Sequence, residues 1–378
     1  MPRTVIDADG HVGEPTDLFE RYLDVPLGGR KPYMTKDDRG VNRWVIEGRL
    51  YPTPEGKGVG PNTRYGVMRE GMHDPRLRLE DMDAEGIQVA VIFPSSAMVF
   101  GWGIENPELA LAACRAYNNY LAGYCAHEPT RLKGVAALPL QDPSAAAEEL
   151  RRCVARGMVA GFVPPQFRGV GLEDARYTPI FRTAQELDVP VVVHATSGVQ
   201  ISTVAGTDRY DKFFFTHMVS HPFEQMLAML SIIAGGVLEQ FPQLRVGFFE
   251  AGAGYVPYWL ERMDEHYETF PRDTTPMQMA PSEYFRRQCF VSCEGGERGL
   301  PDAIAALGAG RILFASDYHH FDAVFPGAVA ALADRTDVSE ADKDAIFEQS
   351  PRALYRFAPA GHALSPAPGG GAGQARRA

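Results

Sequence analysis

The stretch Ile87-Gln88-Val89-Ala90-Val91-Ile92-Phe93 is an almost unbroken apolar run. Such a run is typical of a strand that is buried on both faces of a parallel sheet. A helical pattern precedes it from Leu77 to Glu85 and ends at Gly86, and another follows from Pro107 to Cys125. The stretch therefore predicts one strand between two helices, which is the repeating unit of an α/β fold.

The same unit recurs along the rest of the chain. Seven further strands are predicted, the first beginning at Val5 and the others at Gly134–Leu138, Val159–Val163, Val189–His194, Arg245–Phe249, Phe290–Cys293 and Ile312–Ser316. Helices are predicted between them, among them Ala145–Arg156, Thr178–Leu187, Pro222–Ala234, Tyr255–Tyr267 and Asp302–Leu307. Eight strands alternating with helices predict a (β/α)8 barrel, and a doubly wound open sheet is the alternative.

Two regions depart from this alternation. Residues 26–75 are rich in Gly, Pro and charge, contain a predicted β-hairpin at Arg43–Tyr51, and are interpreted as an insertion that covers the barrel mouth and active site. Near the other end, helices are predicted at Glu340–Gln349 and Pro351–Arg356, and the tail 358–378 is predicted to be disordered. The predicted organisation is one barrel domain over residues 1–357.

Composition excludes some classes of partner. The net charge of -11 argues against nucleic acid or an anionic membrane as the main partner, since both are bound mainly by clusters of Lys and Arg. The five cysteines form no CxxC pair and are interpreted as buried thiols in a reducing compartment. No apolar run approaches the length of a membrane span, so we expect a cytoplasmic protein whose partner is a small-molecule substrate.

The first strand ends in an acidic residue and a histidine two positions apart, Asp9 and His11. Because side chains alternate along a strand, both are predicted to face the same side. Taken alone, the pair indicates either a metal site or a strand end where Asp9 caps a turn and His11 makes a hydrogen bond. Partners elsewhere in the chain decide between these two interpretations.

Further residues of the types that bind metals follow other strands. His194 ends the fifth strand, Glu250 follows the sixth, and Asp317 and His320 follow the eighth. Three of them have a structural alternative: His194 as a buried and satisfied histidine, Asp317 as a turn cap, and Glu250 as a partner of Arg262 or His221. Since the C-terminal strand ends of a barrel meet at one mouth, the joint pattern predicts a metal site there.

These motifs resemble a known family. The strand-one motif, the Val192-Val193-His194 end, the segment Phe241–Val246 and the segment Phe314–Tyr318 are similar to the amidohydrolase superfamily. The resemblance is greatest to its amidohydrolase-related branch, which includes aminocarboxymuconate-semialdehyde decarboxylase and γ-resorcylate decarboxylase. It covers most of the chain from Val5 to Phe357.

The resemblance implies roles for individual residues. Asp9 and His11 match the strand-one ligand pair, His194 matches the strand-five ligand, and Asp317 matches an aspartate that binds metal or handles a proton. Relatives often carry a histidine after strand six, where this chain has Glu250. His221 and His320 are the candidates for the missing histidine and, with Asp317 and Glu250, for acid and base catalysis.

The resulting functional hypothesis is a metal-dependent decarboxylase that acts on a small aromatic or unsaturated carboxylic acid. A metal-dependent hydrolase of an amide, lactone or carbon–carbon bond on the same site is the alternative, and a catalytically silent metal-binding barrel is a third. One divalent ion is expected, with zinc favoured over manganese. Arg76 is a candidate for binding the substrate carboxylate, and a homodimer or homotetramer is expected.

Overall fold

Eight parallel strands form the centre of the molecule in the computed structural model, which describes residues 3–38, 40, 42–51, 69–194, 204–210, 212–273, 275–318, 320 and 323–358. In chain order the barrel strands are β1 (Ile6–Val12), β2 (Val89–Pro94), β3 (Leu132–Ala137), β4 (Ala160–Val163), β5 (Val191–His194), β6 (Val246–Phe249), β7 (Cys289–Cys293) and β8 (Ile312–Phe314). Each strand pairs in parallel with the next along the chain.

The first and last strands meet and nearly close the sheet. Gly10 and Tyr318 form a parallel bridge, and the Asp317 N–H donates to the Asp9 carbonyl at 3.0 Å. An open doubly wound sheet would leave these two edges apart, so the (β/α)8 prediction is confirmed and the alternative is excluded. The seam joins the two segments that carry the predicted ligands Asp9, His11 and Asp317.

Helices separate the strands and cover the barrel. They are α1 (Leu18–Arg21), α2 (Pro75–Glu85), α3 (Phe100–Gly103), α4 (Pro107–Cys125), α5 (Pro143–Val154), α6 (Thr178–Glu186), α7 (Phe213–Ile233), α8 (Val237–Gln240), α9 (Val256–Thr269), α10 (Pro281–Gln288), α11 (Leu300–Leu307), α12 (Ala328–Ala333), α13 (Glu340–Asp344) and α14 (Ser350–Tyr355). Several begin with a proline preceded by a capping side chain: Asn106 accepts from the Leu109 N–H, and Asp142 accepts from Ser144 and Ala145. Such caps satisfy N–H groups that have no partner inside the helix.

The longest helix differs from its prediction. The sequence places its start at Pro222, because proline is common in the first turn of a helix. In the structure α7 begins at Phe213 and continues through Pro222. Thr216, Ser220 and His221 are buried on its inner side, so packing against the barrel outweighs the local cost of an internal proline.

The predicted hairpin forms part of a small antiparallel sheet beside the barrel. Its strands are Tyr33–Lys36, Asn42–Ile46 and Arg49–Tyr51. Trp44 is buried against Phe19 and Phe100, and the Glu47 carboxylate accepts hydrogen bonds from backbone N–H groups at the start of α4. Residues 52–68 and 359–378 lie outside the described residues, so the cover over the mouth and the disordered tail stay predictions.

The core is continuous from the barrel interior to the surrounding helices. The apolar runs that predicted the strands are buried on both faces, as in β5, where all four residues are buried. All five cysteines are free thiols, and four of them are buried. Among the described residues, no helix combines the length and the apolar character needed to cross a membrane.

Candidate metal centre

Six predicted residues converge at the C-terminal end of the barrel. Asp9 and His11 come from β1, where the pairing register with β2 shifts between Asp7 and Gly10. A register shift of this kind redirects side chains and is frequent beside active sites. The other four are the last residue of β5 and residues that follow β6 and β8, namely His194, Glu250, Asp317 and His320.

Asp9, His11 and His194 place their ligand atoms within 4.8 Å of one another, and Asp317 and His320 form a second such group with His11. The distance from His11 Nε2 is 3.6 Å to Asp9 Oδ1 and 3.3 Å to Asp317 Oδ1, and His194 Nε2 lies 3.4 Å from Asp9 Oδ2. Two ligands bound at about 2.1 Å to one ion, at tetrahedral or octahedral angles, are roughly 3.0–3.4 Å apart. Two of the three spacings lie in this range and the third is slightly longer. Asp9, His11 and His194, with Asp317 beside His11, thus present donors at close to the spacing that one divalent ion requires.

Some buried polar atoms of this set have no hydrogen-bond partner among the described residues, including Asp9 Oδ1 and His11 Nε2. Burying a polar atom without a partner costs about 1–3 kcal/mol, so such atoms are rare in folded proteins unless something binds them. Because carboxylate oxygen and imidazole nitrogen are ligands for zinc and manganese, a metal ion fits the donors present.

The opposite nitrogen of each ligand histidine is also held. His11 Nδ1 lies 2.8 Å from the Pro94 carbonyl, and a carbonyl only accepts, so Nδ1 carries the proton and Nε2 presents its lone pair to the centre. His194 Nδ1 lies 3.1 Å from Glu250 Oε2. A carboxylate behind a metal-binding histidine fixes the ring and increases its basicity. This geometry places Glu250 behind His194.

Two of the carboxylates stand on strained backbone. Glu250 has φ 59° and Asp317 has φ 51°, in the left-handed region that side chains other than glycine rarely adopt. The Glu250 N–H donates to Ser292 Oγ at 3.2 Å, and the Asp317 N–H donates to the Asp9 carbonyl. Left-handed residues of this kind cluster at functional sites, where the surrounding structure maintains them.

Two further histidines border the cluster. His221, from the inner side of α7, has Nε2 3.6 Å from Glu250 Oε1. His320 Nδ1 lies 2.8 Å from Asp317 Oδ1 and 3.5 Å from Glu250 Oε1, and its ring stacks on His11 with centroids 3.8 Å apart. The structure thus brings both candidate replacements for the missing histidine next to Glu250.

The two histidines have opposite electrostatic environments. Burial lowers the pKa of His221, and the Glu250 carboxylate only partly offsets this effect. Burial also acts to lower the pKa of His320, but the carboxylates of Asp317 and Glu250 outweigh it and hold this pKa well above its ordinary value. Burial thus favours the neutral form of His221, whereas the neighbouring carboxylates favour the protonated form of His320, a difference that suits acid and base roles.

A buried polar layer beneath the cluster was missed by the sequence reasoning. Asp7 accepts hydrogen bonds from the Ser316 N–H at 2.9 Å and the Ser316 hydroxyl at 2.6 Å, and burial raises its pKa to about 7. Arg78 donates to the His11 carbonyl at 2.8 Å, and its guanidinium lies 3.8 Å from the centre of the Tyr318 ring. Asp7 has the same two-residue spacing from Asp9 that Asp9 has from His11, so the sequence could have placed it in this group. No motif in the sequence pointed to Arg78.

Arg76, the predicted substrate ligand, lies at the start of α2. Its side chain is 72% exposed, and its guanidinium pairs with Asp74 at 2.7 Å. The backbone N–H of Arg76 donates to the same carboxylate, which caps the helix. These contacts explain the position of Arg76 without a substrate, and its role in substrate binding stays a prediction.

Comparison with known proteins agrees with this geometry. A family model described as amidohydrolase matches residues 6–357, almost the whole described chain. The chain belongs to the amidohydrolase family. The family resemblance predicted from the strand-end motifs is therefore confirmed.

Relatives of this amidohydrolase include known decarboxylases. It is 31% identical over 299 residues to a γ-resorcylate decarboxylase from Polaromonas sp. (strain JS666), covering 76% of this chain and 88% of that protein. A dihydroxybenzoic acid decarboxylase from Polaromonas sp. JS666, solved with bound manganese and the inhibitor 2-nitroresorcinol, is 26% identical with a TM-score of 0.69 and covers 94% of this chain and 97% of its own.

A third comparison concerns the fold of this amidohydrolase alone. An amidohydrolase from Mycobacterium avium subsp. paratuberculosis superposes with a TM-score of 0.78 at 24% identity. The match covers 94% of this chain and 100% of the other. It supports the barrel architecture and carries no information about the reaction.

Proposed function

We propose that this amidohydrolase is a metal-dependent decarboxylase of small aromatic hydroxy acids. The observation that carries the proposal is the pair of donor groups Asp9–His11–His194 and His11–Asp317–His320, which share His11, with Glu250 behind His194. The γ-resorcylate decarboxylase relative, at 31% identity, supports the choice of reaction and substrate class.

In this proposal Asp9, His11, His194 and Asp317 hold one divalent ion. When bound, the ion polarises the carboxylate and the neighbouring hydroxyl oxygen of the substrate. Glu250 keeps the His194 ring turned toward the centre through the 3.1 Å contact with Nδ1. The Pro94 carbonyl does the same for His11.

The reaction replaces a carboxylate group by a proton. The bond between the ring carbon and the carboxyl carbon breaks, its electron pair stays on the ring carbon, and carbon dioxide leaves. One proton must reach that ring carbon. His320 is the proposed donor, because Asp317 and Glu250 keep its pKa well above the ordinary value and its Nδ1 lies 2.8 Å from Asp317.

His221 takes the complementary role. Since burial lowers its pKa, His221 is neutral near pH 7 and can accept a proton from a substrate hydroxyl. Its Nε2 lies 3.6 Å from Glu250 Oε1, so the resulting imidazolium would face a carboxylate. In this proposal His320 is the acid and His221 is the base, and Glu250 lies between them.

The identity of the metal is a separate part of the proposal. The donor set of two carboxylates and two imidazoles suits zinc, which the sequence favours, and also manganese. The related dihydroxybenzoic acid decarboxylase was solved with manganese. Metal analysis of the purified protein, followed by removal and reconstitution with each ion, decides between zinc and manganese by the activity restored.

The reaction is tested with a panel of hydroxybenzoates that includes γ-resorcylate, run in D2O and followed by mass spectrometry. We expect loss of carbon dioxide and one deuterium on the carbon that carried the carboxylate. His320→Gln should retain bound metal and lower kcat by about 100-fold or more, as the loss of a proton donor does. His266→Gln, on the exposed side of α9, is the matched control.

Two outcomes would contradict the proposal. A product that has gained water would establish the hydrolase alternative, which uses the same residues. Absence of turnover across the panel by protein loaded with either metal would favour the silent metal-binding barrel. Unchanged kcat in His320→Gln would remove His320 as the proton donor while leaving the decarboxylase assignment in place.

A further inference from the structure

Two segments that carry proposed ligands meet at the seam of the barrel. Asp9 and His11 lie on β1, whereas Asp317 follows β8. Because β8 ends at Phe314, Asp317 lies beyond the regular strand, and its backbone is left-handed at φ 51°. The distance between His11 and Asp317 therefore depends on contacts around the seam as well as on the strand ladder.

One side chain contacts both sides of this seam. Arg78, from α2, is 1% exposed, and its Nη1 donates to the His11 carbonyl at 2.8 Å. Its guanidinium carbon lies 3.8 Å from the centre of the Tyr318 ring, so the cation packs on the residue next to Asp317. A single rigid group thus touches the backbone of one ligand and the neighbour of another.

Helix α2 holds the Tyr318 ring at its hydroxyl as well as at its face. The Tyr318 hydroxyl donates to Asp81 Oδ2 at 2.6 Å, and Arg69 Nε donates to the same oxygen at 2.8 Å. Asp81 and Arg78 are three residues apart on α2 and therefore lie on the same side of the helix. Tyr318 is 1% exposed, so these two contacts fix its ring within the fold.

The residue between the two β1 ligands leaves room for the guanidinium. Gly10 separates Asp9 from His11, and a Cβ atom at this position would lie 2.5 Å from Arg78 Nη2. Such a distance is far below van der Waals contact, so any larger residue at position 10 would displace Arg78. The guanidinium therefore occupies space that β1 leaves open because residue 10 is glycine.

We infer that Arg78 is a positioning residue for the metal centre, which sets the separation of His11 and Asp317 by binding the His11 carbonyl and the Tyr318 ring. The inference rests on the metal site of the proposed function. His11 Nε2 lies 3.3 Å from Asp317 Oδ1, within the spacing of two ligands of one ion. Such groups must be held to within about 0.5 Å of their working geometry, so loss of Arg78 should weaken metal binding.

A simple buried ion pair with Asp7 does not account for the contacts of Arg78. Arg78 Nη2 lies 3.9 Å from Asp7 Oδ2, beyond hydrogen-bond distance. Asp7 instead accepts hydrogen bonds from Ser316 and from the Asp9 N–H. The two roles also predict opposite results. Arg78 and the metal ion are both cations, so removing the charge alone would strengthen metal binding, whereas removing the positioning group would weaken it.

The test compares the metal affinity of the full chain in variants that keep the circular dichroism of the wild type, measured by chelator competition with zinc and with manganese. Arg78→Met removes the charge, and Arg78→Lys keeps the charge but loses the planar group. Both should weaken metal binding by about 10–100-fold, as loss of a group that orients a ligand does.

Arg245→Lys is the matched control. Arg245 is also a buried arginine, 7% exposed, and its Nε donates to the Leu354 carbonyl at 2.8 Å. It directly precedes β6, so it lies at the end of the barrel opposite to the proposed ligands. Arg245→Lys should therefore keep the metal affinity of the wild type, even where it lowers stability.

A second pair of variants tests the inference where the Arg78 variants do not fold. Tyr318→Phe keeps the ring on which the guanidinium packs, whereas Tyr318→Leu removes it. The loss of metal affinity should therefore be larger in Tyr318→Leu. The visible spectrum of bound cobalt, which reports the coordination geometry, should change in Tyr318→Leu and in the Arg78 variants but not in Arg245→Lys.

Three results would overturn the inference. Metal affinity in Arg78→Met at or above that of the wild type would assign Arg78 to charge balance alone. Wild-type affinity in Arg78→Lys would mean that the charge suffices without the planar group. Equal affinities in Tyr318→Phe and Tyr318→Leu would remove the ring contact from the mechanism.

The outcomes also separate this inference from the proposed function. A wild-type protein that binds no metal would contradict both. A wild type that binds metal, loses it in the Arg78 variants and decarboxylates no substrate would support the positioning role and contradict only the proposed reaction. The metal titrations require no turnover, so the role of Arg78 is decided without an assay of the reaction.

Discussion

Two clusters of buried charge in this protein are built in opposite ways. At the barrel mouth, carboxylates meet histidines, and Asp9 Oδ1 and His11 Nε2 have no hydrogen-bond partner among the described residues. Between α4 and α5, the Glu149 carboxylate is 1% exposed and accepts from Arg115 at 3.1 Å, Asn118 at 2.8 Å and Arg152 at 2.6 Å. The donors of the first cluster suit a metal ion, whereas the carboxylate of the second is hydrogen-bonded by its neighbours.

The backbone conformation also differs between the two clusters. Glu250 and Asp317 adopt left-handed conformations at the ends of strands, whereas Glu149 lies within a regular helix. Asn118 connects the Glu149 cluster to the barrel, since its amide donates to and accepts from the backbone of Ala137. Incomplete bonding and strain mark a binding centre, while complete bonding marks a structural contact. Substitutions in each cluster should therefore have different effects.

The largest difference is expected for a ligand of the metal. His194→Ala removes one of the four donors, so bound metal and turnover should both fall by more than the roughly 10–100-fold that loss of an orienting partner costs. Glu149→Gln should retain both. Metal is measured by elemental analysis of purified protein and turnover by carbon dioxide release. Full metal content and activity in His194→Ala would contradict the assigned centre.

A smaller effect is expected for the carboxylate behind the ligand. Glu250→Gln keeps the shape of the side chain and removes the charge that faces His194 Nδ1. Affinity for metal should fall by about 10–100-fold, because the partner of a ligand histidine tunes its basicity. A competition titration with a chelator measures the change. Glu250 would instead be a ligand of the ion if the variant bound no metal at all.

The sequence predicted which residues meet at the barrel mouth better than it predicted the contacts around them. A barrel places the ends of all its strands at one mouth, so Asp9, His11, His194 and Asp317 could be placed there from their positions in the chain. Their role as metal ligands stays a prediction. The contact of Glu250 with His194 depends on the left-handed turn after β6, and no periodicity encodes that turn. The fold was predictable because each strand is an apolar run bounded by a helix.

Long-range packing limited the other predictions. Proline at position 222 indicated a helix start, yet buried residues before it extend α7 back to Phe213. Arg78 reaches the His11 carbonyl across 67 residues of chain, a contact that neither composition nor spacing reveals. The contacts that the sequence did not predict are therefore those between residues that lie far apart in the chain and meet only in the folded barrel.

In the Glu149 cluster the main effect should be on stability. Glu149→Gln leaves Arg115 and Arg152 without their carboxylate, and both side chains retain some access to water. The free energy of unfolding should fall by about 1–3 kcal/mol, measured by urea denaturation. Glu148→Gln, whose side chain is 79% exposed, should change it by less than about 0.5 kcal/mol. Equal effects would contradict a structural role for Glu149.

The smallest expected effect is the pH dependence of the difference in unfolding free energy between the wild type and Glu149→Gln. Burial acts to raise the pKa of Glu149, but Arg152, Asn118 and Arg115 outweigh it and lower this pKa from its ordinary value. A carboxyl group with a lowered pKa in the folded state contributes stability that is present above the unfolded pKa and lost as pH falls through the folded pKa. The gap in unfolding free energy between wild type and Glu149→Gln should thus be constant near neutral pH and shrink below about pH 4.5, where the unfolded glutamate takes up a proton. A gap that widened in acid would mean that the protonated carboxyl, and not the carboxylate, is the form that the arginines stabilise.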